Sequence, residues 1–235
     1  MRDEALKAWR AAERTRLIAA REAIGRSALD ALRRCIDAHL ERSFPGLASG
    51  VLAFCWPIRN EYDARHLART LRARGALTAL PVVVAPRTPL AFREWHPGVM
   101  LARGALGIAY PVGSRELVPD RVLLPMNGWD AAGYRLGYGG GYFDRTLARL
   151  ARKPTVIGVS LEMARLATIH PQPWDIALDY VVTERGVYRC DSGALVFLGA
   201  PPAGEPSPLA SPVCYAGELA PEYFGAADGY PRNSR

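Results

Sequence analysis

The 235-residue sequence contains no C-x-x-C pair. Its four cysteines, Cys35, Cys55, Cys190 and Cys214, lie far apart, which argues against a zinc site and a disulfide framework and fits a reducing cytoplasm. No apolar run is long enough to span a membrane, and the charged start (Met1 to Lys7, then Arg10, Glu13, Arg14 and Arg16) does not resemble a signal peptide. A cytoplasmic protein without a membrane partner is therefore expected. No segment interleaves aromatics with Lys and Arg as single-strand binders do, so nucleic acid is not the expected partner despite a net charge of +7 and a pI near 9.5. His39, His66, His96 and His170 are too scattered for a metal cluster, no Ser/His/Asp or Cys/His set stands out, and no internal repeat is visible.

What is present is a balance of 49% hydrophobic and 23% charged residues, enough to bury a core. One catalytic domain is expected over residues 1–198, since single cores stop growing only at about 250 to 300 residues. Residues 199–235 are rich in Pro, Gly, Ala and Ser and read as a tail without chemistry. A monomer is expected. The positive charge favours an anionic ligand without choosing among nucleotides, polyglutamylated small molecules and surfaces.

Residues 3–44 are mostly Ala, Leu, Arg and Glu, with Leu29, Leu32, Ile36 and Leu40 at helical spacing, and predict two helices or one bent near Gly25. Val51 to Trp56 suits a buried strand, and a helical stretch begins between Asn60 and Asp63 and ends near Gly75. Further strands are predicted at 77–84, interrupted by Pro81, and at 122–126, 156–160 and 180–183. The class is α/β: an open, largely parallel sheet covered by helices on both faces, with an N-terminal helical segment. Ligands gather beyond the carboxyl ends of such strands, which draws attention to the loops after Trp56, Met126 and Ser160.

The run from Gly133 to Arg145, G-Y-R-L-G-Y-G-G-G-Y-F-D-R, carries most of the information. Each glycine in a regular element costs about 0.5 to 1 kcal/mol relative to alanine, so Gly137, Gly139, Gly140 and Gly141 predict a loop. Bare backbone leading into a helix makes an anion nest reinforced by the helix dipole, and phosphate is its natural guest. Asp144, near the start of that helix, suits either a magnesium ligand beside a phosphate or a simple N-cap. The run is neither a G-x-x-x-x-G-K-[ST] loop nor a clean G-x-G-x-x-G, since Tyr142 stands where the last glycine should be. A dinucleotide enzyme, with Glu162 as its ribose acid, stays as an alternative, as does a non-catalytic nucleotide- or RNA-binding paralogue.

With Leu124-Pro125 and Trp129-Asp130 before it, this run resembles the 5-formyltetrahydrofolate cyclo-ligase family, also called methenyltetrahydrofolate synthetases, whose motif reads G-x-R-L-G-x-G-G-G-Y-Y-D-R-x-L. Weaker likenesses are Asn60-Glu61-Tyr62-Asp63, Leu80-Pro81, 107–111, Pro119-Asp120, and Asp175 with Asp179. Together they cover roughly residues 10–183 in the family's order. The resemblance implies ATP and Mg2+ as cofactors and a folate as substrate. In the family, ATP phosphorylates the formyl oxygen of 5-formyltetrahydrofolate, N10 attacks the activated carbon, and loss of phosphate leaves 5,10-methenyltetrahydrofolate.

Residue by residue, the resemblance implies that Arg135, Leu136, Gly137, Tyr138, Gly139, Gly140, Gly141, Tyr142 and Phe143 wrap ATP, with Arg135 and Asp144 catalytic and Asp144 and Asp175 the magnesium ligands. Arg10 and Arg14, on one helical face with Arg21, match the family's basic ATP-holding helix, although Arg10 stands where a lysine is usual. Glu61 matches a glutamate that contacts the pterin, where a carboxylate can accept paired N–H groups. Trp56, Trp129 and Tyr142 are assigned to the substrate. Phe92, Trp95 and Met126 are further candidates for its walls, with core packing the default for most of these aromatic and apolar residues. Phe143 and Trp129 depart mildly from the family's tyrosine and phenylalanine.

Overall fold

The computed structural model describes residues 3–104 and 107–200. The Ala/Leu/Arg/Glu-rich start forms two helices, α1 (Asp3–Glu22) and α2 (Arg26–Ser43), and the extended backbone of Gly25 caps the second. Two more follow: α3 (Arg65–Ala73), later than the predicted start because 60–64 form a turn, and α4 (Tyr142–Arg149) after the glycine run. Among the described residues no helix is long and apolar enough to cross a membrane.

The strands, in chain order, are β1 (Val51–Phe54), β2 (Leu77–Val82), β3 (Ala91–Trp95), β4 (Leu101–Arg103), β5 (Ala109–Pro111), β6 (Arg121–Pro125) and β7 (Gly128–Asp130). They continue as β8 (Arg135–Leu136), β9 (Thr155–Val159), β10 (Arg165–Leu166), β11 (Tyr180–Thr183), β12 (Gly186–Asp191) and β13 (Ala194–Gly199). The main sheet runs β13-β12-β11-β9-β6-β1-β2-β3. Its five central strands, β11 to β2, are parallel, whereas β3, β12 and β13 pair antiparallel at the edges. The sheet is thus open and α/β, as predicted, but mixed. Pro81 sits inside β2 without harm because β1 pairs only as far as Ala79, leaving Pro81 opposite Phe92 of β3 alone.

Alternation along the strands divides the core into two layers. Ala53, Ala79, Val122, Leu124, Val156 and Val181 point to one face and form a cluster with Leu17 of α1 and Leu147 of α4. On the other face Phe54 meets Trp95 edge-on at 5.1 Å, and Phe44, at the end of α2, meets Tyr180 at 4.9 Å. Gly158, in β9, has no room for a side chain, since a Cβ would lie 2.6 Å from Leu178 Cδ1 and 2.7 Å from Met126 Sδ. That gap admits Met126 to the core just beyond the carboxyl end of β6.

A buried polar cluster lies apart from this sheet edge. Asp37 of α2 accepts hydrogen bonds from Arg33 and from the Tyr62 hydroxyl. Burial raises its carboxyl to about 6, against the opposing pull of Arg33 and Tyr62. Because the folded value lies above the unfolded one, near about 3.9, the folded chain binds the extra proton and stability falls as pH rises between the two values. Urea unfolding at pH 4 and pH 7 should therefore show the natural chain losing about 2 kcal/mol relative to Asp37→Asn over that interval. Parallel pH profiles would exclude this assignment.

Candidate active site

Two short antiparallel strands, β7 and β8, launch the glycine run from the carboxyl end of β6. Asp130 organises the launch: Oδ1 accepts the Ala132 and Tyr134 amides at 3.1 and 3.0 Å, and Oδ2 accepts Ile169 N at 2.9 Å. At 1% exposure Asp130 is structural, the motif residue that ties the run to the segment near 170. Gly139 (φ 91°) and Gly141 (φ 62°) take left-handed backbone that side chains avoid, and Gly141 is the N-cap of α4. Asp144 therefore stands in the first turn of the helix, as its third residue, and is not its cap. The free amides of the first turn and the glycine backbone face the same end of α4. Arg145 braces the run, donating to Gly140 O and lying 5.4 Å over the Tyr142 ring.

Helix α1 lays its basic face along this loop. Arg14 Nε donates to Gly137 O at 2.6 Å. Burial, and then the charge of Arg10, hold Arg14 below its ordinary value, an unfavourable term that a bound anion relieves. Arg10 pairs with Asp175 Oδ2 at 2.7 Å and donates to the carbonyls of Ile169 and His170. Arg21, 6% exposed, donates to Arg59 O (2.9 Å), Met126 O (3.4 Å) and the Tyr138 hydroxyl (3.2 Å).

Glu61 is brought to the same loop from 77 residues away in sequence: its Oε1 accepts the Tyr138 hydroxyl at 2.8 Å, and its Oε2 accepts Ile58 N at 3.1 Å. Arg21 Nη2 stands 4.0 Å from Oε1. Burial raises the Glu61 carboxyl above its ordinary value, opposed by the Ile58 and Tyr138 hydrogen bonds and by the charge of Arg21. Trp56, in the loop after β1, has its ring 4.6 Å beneath the Arg65 guanidinium.

On the opposite side of the loop, Asp144 Oδ1 accepts Arg135 Nη2 at 2.6 Å and Ile176 N at 3.1 Å. Arg135 also donates to Ile176 O at 2.6 Å. Asp175, the residue before Ile176, spends Oδ2 on Arg10 and on Gln172 N. These bonds leave Asp144 Oδ2 and Asp175 Oδ1 uncommitted to them. Among the described residues no group of three His, Cys, Asp or Glu side chains could hold a metal ion, so any cation here would rest on this carboxylate pair and on ligand or water oxygens.

The structure buries several residues expected at the ligands. Trp129, expected at the substrate, is 0% exposed, its indole N–H donates to Leu161 O at 3.2 Å, and its ring packs against Tyr188, which places it in the core behind the loop. Leu136, expected to wrap ATP, is likewise buried, and its carbonyl accepts Asn127 N at 2.9 Å, so it anchors the run. Arg135, expected at the phosphates, has 6% of its side chain exposed and pairs with Asp144. Phe92, Trp95 and Met126 are core residues, as the default had it, and Phe143 packs partly against the core. Trp56 and Tyr142 remain partly exposed. Glu162 is occupied by the Tyr188 and Thr183 hydroxyls and is no ribose acid in waiting.

Two residues were under-read. Arg21 joins Glu61 to the loop, and its spacing of seven from Arg14, two helical turns, was the available signal. Asn127, just beyond β6, is 1% exposed, and neither side-chain amide atom has a partner among the described residues.

A family model described as the 5-formyltetrahydrofolate cyclo-ligase family matches residues 6–184. The chain belongs to this cyclo-ligase family. The 5-formyltetrahydrofolate cyclo-ligase of Mycolicibacterium smegmatis is 31% identical over 147 residues, covering 56% of this chain and 72% of the relative. Its Escherichia coli counterpart is 31% identical over 136 residues, covering 55% and 75%. The solution structure of Aquifex aeolicus 5,10-methenyltetrahydrofolate synthetase matches with a TM-score of 0.68 at 26% identity, over 80% of this chain and 95% of that one. A Mycoplasma pneumoniae 5,10-methenyltetrahydrofolate synthetase shares the fold, with a TM-score of 0.62 at 23% identity over 74% and 98%. The cyclo-ligase match spans the glycine run, Glu61, Asp144, Asp175 and α1 from Leu6 onward, and the tail from residue 201 onward lies outside the described residues.

Proposed function

We propose that this chain converts 5-formyltetrahydrofolate to 5,10-methenyltetrahydrofolate, using ATP and Mg2+ and releasing ADP and phosphate. Family membership supports the substrate class, and one structural observation carries the reading: the loop 137–141 is bonded through Tyr138 to buried Glu61 on one side and runs on the other into the helix that carries Asp144. An acid suited to a pterin edge and an acid suited to a cation thus flank a phosphate-sized backbone nest. In the proposed reaction the γ-phosphoryl group moves to the formyl oxygen, N10 attacks the formyl carbon and gives up its proton, and the C–O bond to phosphate breaks. Such a sequence needs positioning and charge stabilisation and no protein nucleophile.

Arg14, Gly139, Gly140 and Gly141 present cationic and N–H groups to the phosphates. Glu61 accepts from the amino-pyrimidine edge, with Trp56 and Tyr142 beside the flat rings. Asp144 and Asp175 fit a magnesium ion through the oxygens that Arg135 and Arg10 leave uncommitted. When bound, that ion supplies charge neutralisation between phosphate groups. Arg135 keeps Asp144 aimed, and Arg10 does the same for Asp175.

The test is near-ultraviolet absorbance during mixing of protein, 5-formyltetrahydrofolate, ATP and magnesium, because the methenyl bridge extends conjugation. A rise that needs both ATP and magnesium is expected. A folded, ATP-binding protein that gives no rise would retain the nucleotide site and lose the folate assignment.

A further inference from the structure

The Tyr138 hydroxyl occupies the acid that the folate requires. Tyr138 is 45% exposed, yet its hydroxyl reaches Glu61 Oε1 at 2.8 Å, on a residue only 5% exposed. Arg21 holds the same hydroxyl at 3.2 Å. The hydroxyl thus joins a half-exposed ring to a buried carboxylate. The segment that carries it has glycine on both sides, Gly137 before it and Gly139 after it at φ 91°, and α1 holds it through Arg14 at Gly137 O and Arg21 at the hydroxyl. Both sites meet in one side chain, since Tyr138 belongs to the phosphate loop and its tip belongs to the pterin corner.

We infer that Tyr138 is a positioning residue that stands in for the pterin at Glu61, and that folate binding displaces it and so repositions the phosphate loop. This rests on the folate reading above. The phenol donates one hydrogen bond to Oε1, the oxygen to which an amino-pyrimidine edge donates one of its paired N–H groups. The phenol sits 2.8 Å from the oxygen that the pterin edge approaches, with Arg21 at 4.0 Å beside it, so the pterin competes with the phenol for that position and the phenol gives way as it arrives. Part of the pterin's interaction with Glu61 therefore replaces a bond that the free protein already has, and apparent affinity is reduced by the closed fraction. The displaced loop is the one expected to receive phosphate, so folate and ATP sense one another through Tyr138, and by linkage the effect is reciprocal.

Tyr138→Phe keeps the ring and removes the bond. Calorimetric titration with 5-formyltetrahydrofolate, without ATP and at pH 8, should show binding about tenfold tighter than in the natural protein, the scale of one hydrogen bond to a charged group. The advantage should shrink as pH falls. Glu61 is faced by Arg21 from α1, by Tyr138 from the loop, by Ile58 N–H and by the Cys55 thiol, and loss of the Tyr138 donor lets it keep its proton to higher pH. Amide exchange at 137–141 should also quicken in the ligand-free variant, which a purely structural effect elsewhere would not produce. Equal or weaker folate binding by Tyr138→Phe, with the natural protein binding normally, overturns the displacement and leaves the folate reading intact. Failure of both proteins to bind the folate overturns that reading and this inference together.

Discussion

Asp144→Asn should reduce turnover by at least about a thousandfold, the scale at which a single transition-state charge interaction is lost, and should also lower stability. The two losses have different origins. Asp144 Oδ1 neutralises Arg135, whose side chain is only 6% exposed, and Asn leaves that cation with a neutral acceptor. Removing one partner of a buried ion pair costs about 3 to 5 kcal/mol, and a remaining neutral hydrogen bond recovers part of it. The activity loss comes from the other oxygen, proposed to face the cation and phosphates. The double variant Arg135→Met/Asp144→Asn separates these effects, because replacing both partners removes the orphaned charge. Thermal unfolding should show stability returning toward that of the natural protein, while the methenyl absorbance assay shows no return of turnover. If turnover recovers with stability, Asp144 serves only to balance Arg135.

The glycine run was legible because its composition excludes regular structure, and Asp175 was legible only through resemblance, since nothing in its local spacing marks it. The strands at 51–56, 77–84, 122–126, 156–160 and 180–183 stood out as apolar runs because they lie inside the sheet. The antiparallel hairpin β12–β13 was not anticipated. Its turn, Ser192 (φ 50°) and Gly193 (φ 83°), carries a left-handed signal, but β13 exposes Val196, Phe197 and Leu198 and shows no clean alternation. The composition shift was set after Leu198, and the strand in fact runs through Gly199. The burial of Trp129 and Leu136 was not legible for one reason: a motif shared by a family mixes residues at the loop's surface with residues that build the loop, and spacing alone does not sort them. Burial does. The link between Glu61 and Tyr138 was equally hidden, because a contact across 77 residues is set by the parallel order of β1 and β6.

Glu61→Gln separates recognition from folding. Gln offers one acceptor oxygen and, in place of the second, an N–H that opposes the donors of an amino-pyrimidine edge. The KM for the folate should rise about a hundredfold, as two charge-assisted bonds weaken, with a smaller change in kcat because the formyl group reacts elsewhere on the ligand. Stability should move the other way. Glu61 is buried and its carboxyl holds its proton to higher pH than in the unfolded chain, so its contribution is present at low pH and is lost as pH rises through the folded value. Gln carries no such dependence: its one oxygen can accept Ile58 N, and its N–H can donate to the Tyr138 hydroxyl oxygen in place of accepting from it. Unfolding temperatures at pH 5 and pH 8 should therefore show Glu61→Gln gaining on the natural protein as pH rises. A raised KM with a growing stability advantage marks an acid retained for its ligand against the interest of the fold. An unchanged KM with the same stability gain would place the pterin elsewhere and leave Glu61 as no more than the anchor of Tyr138.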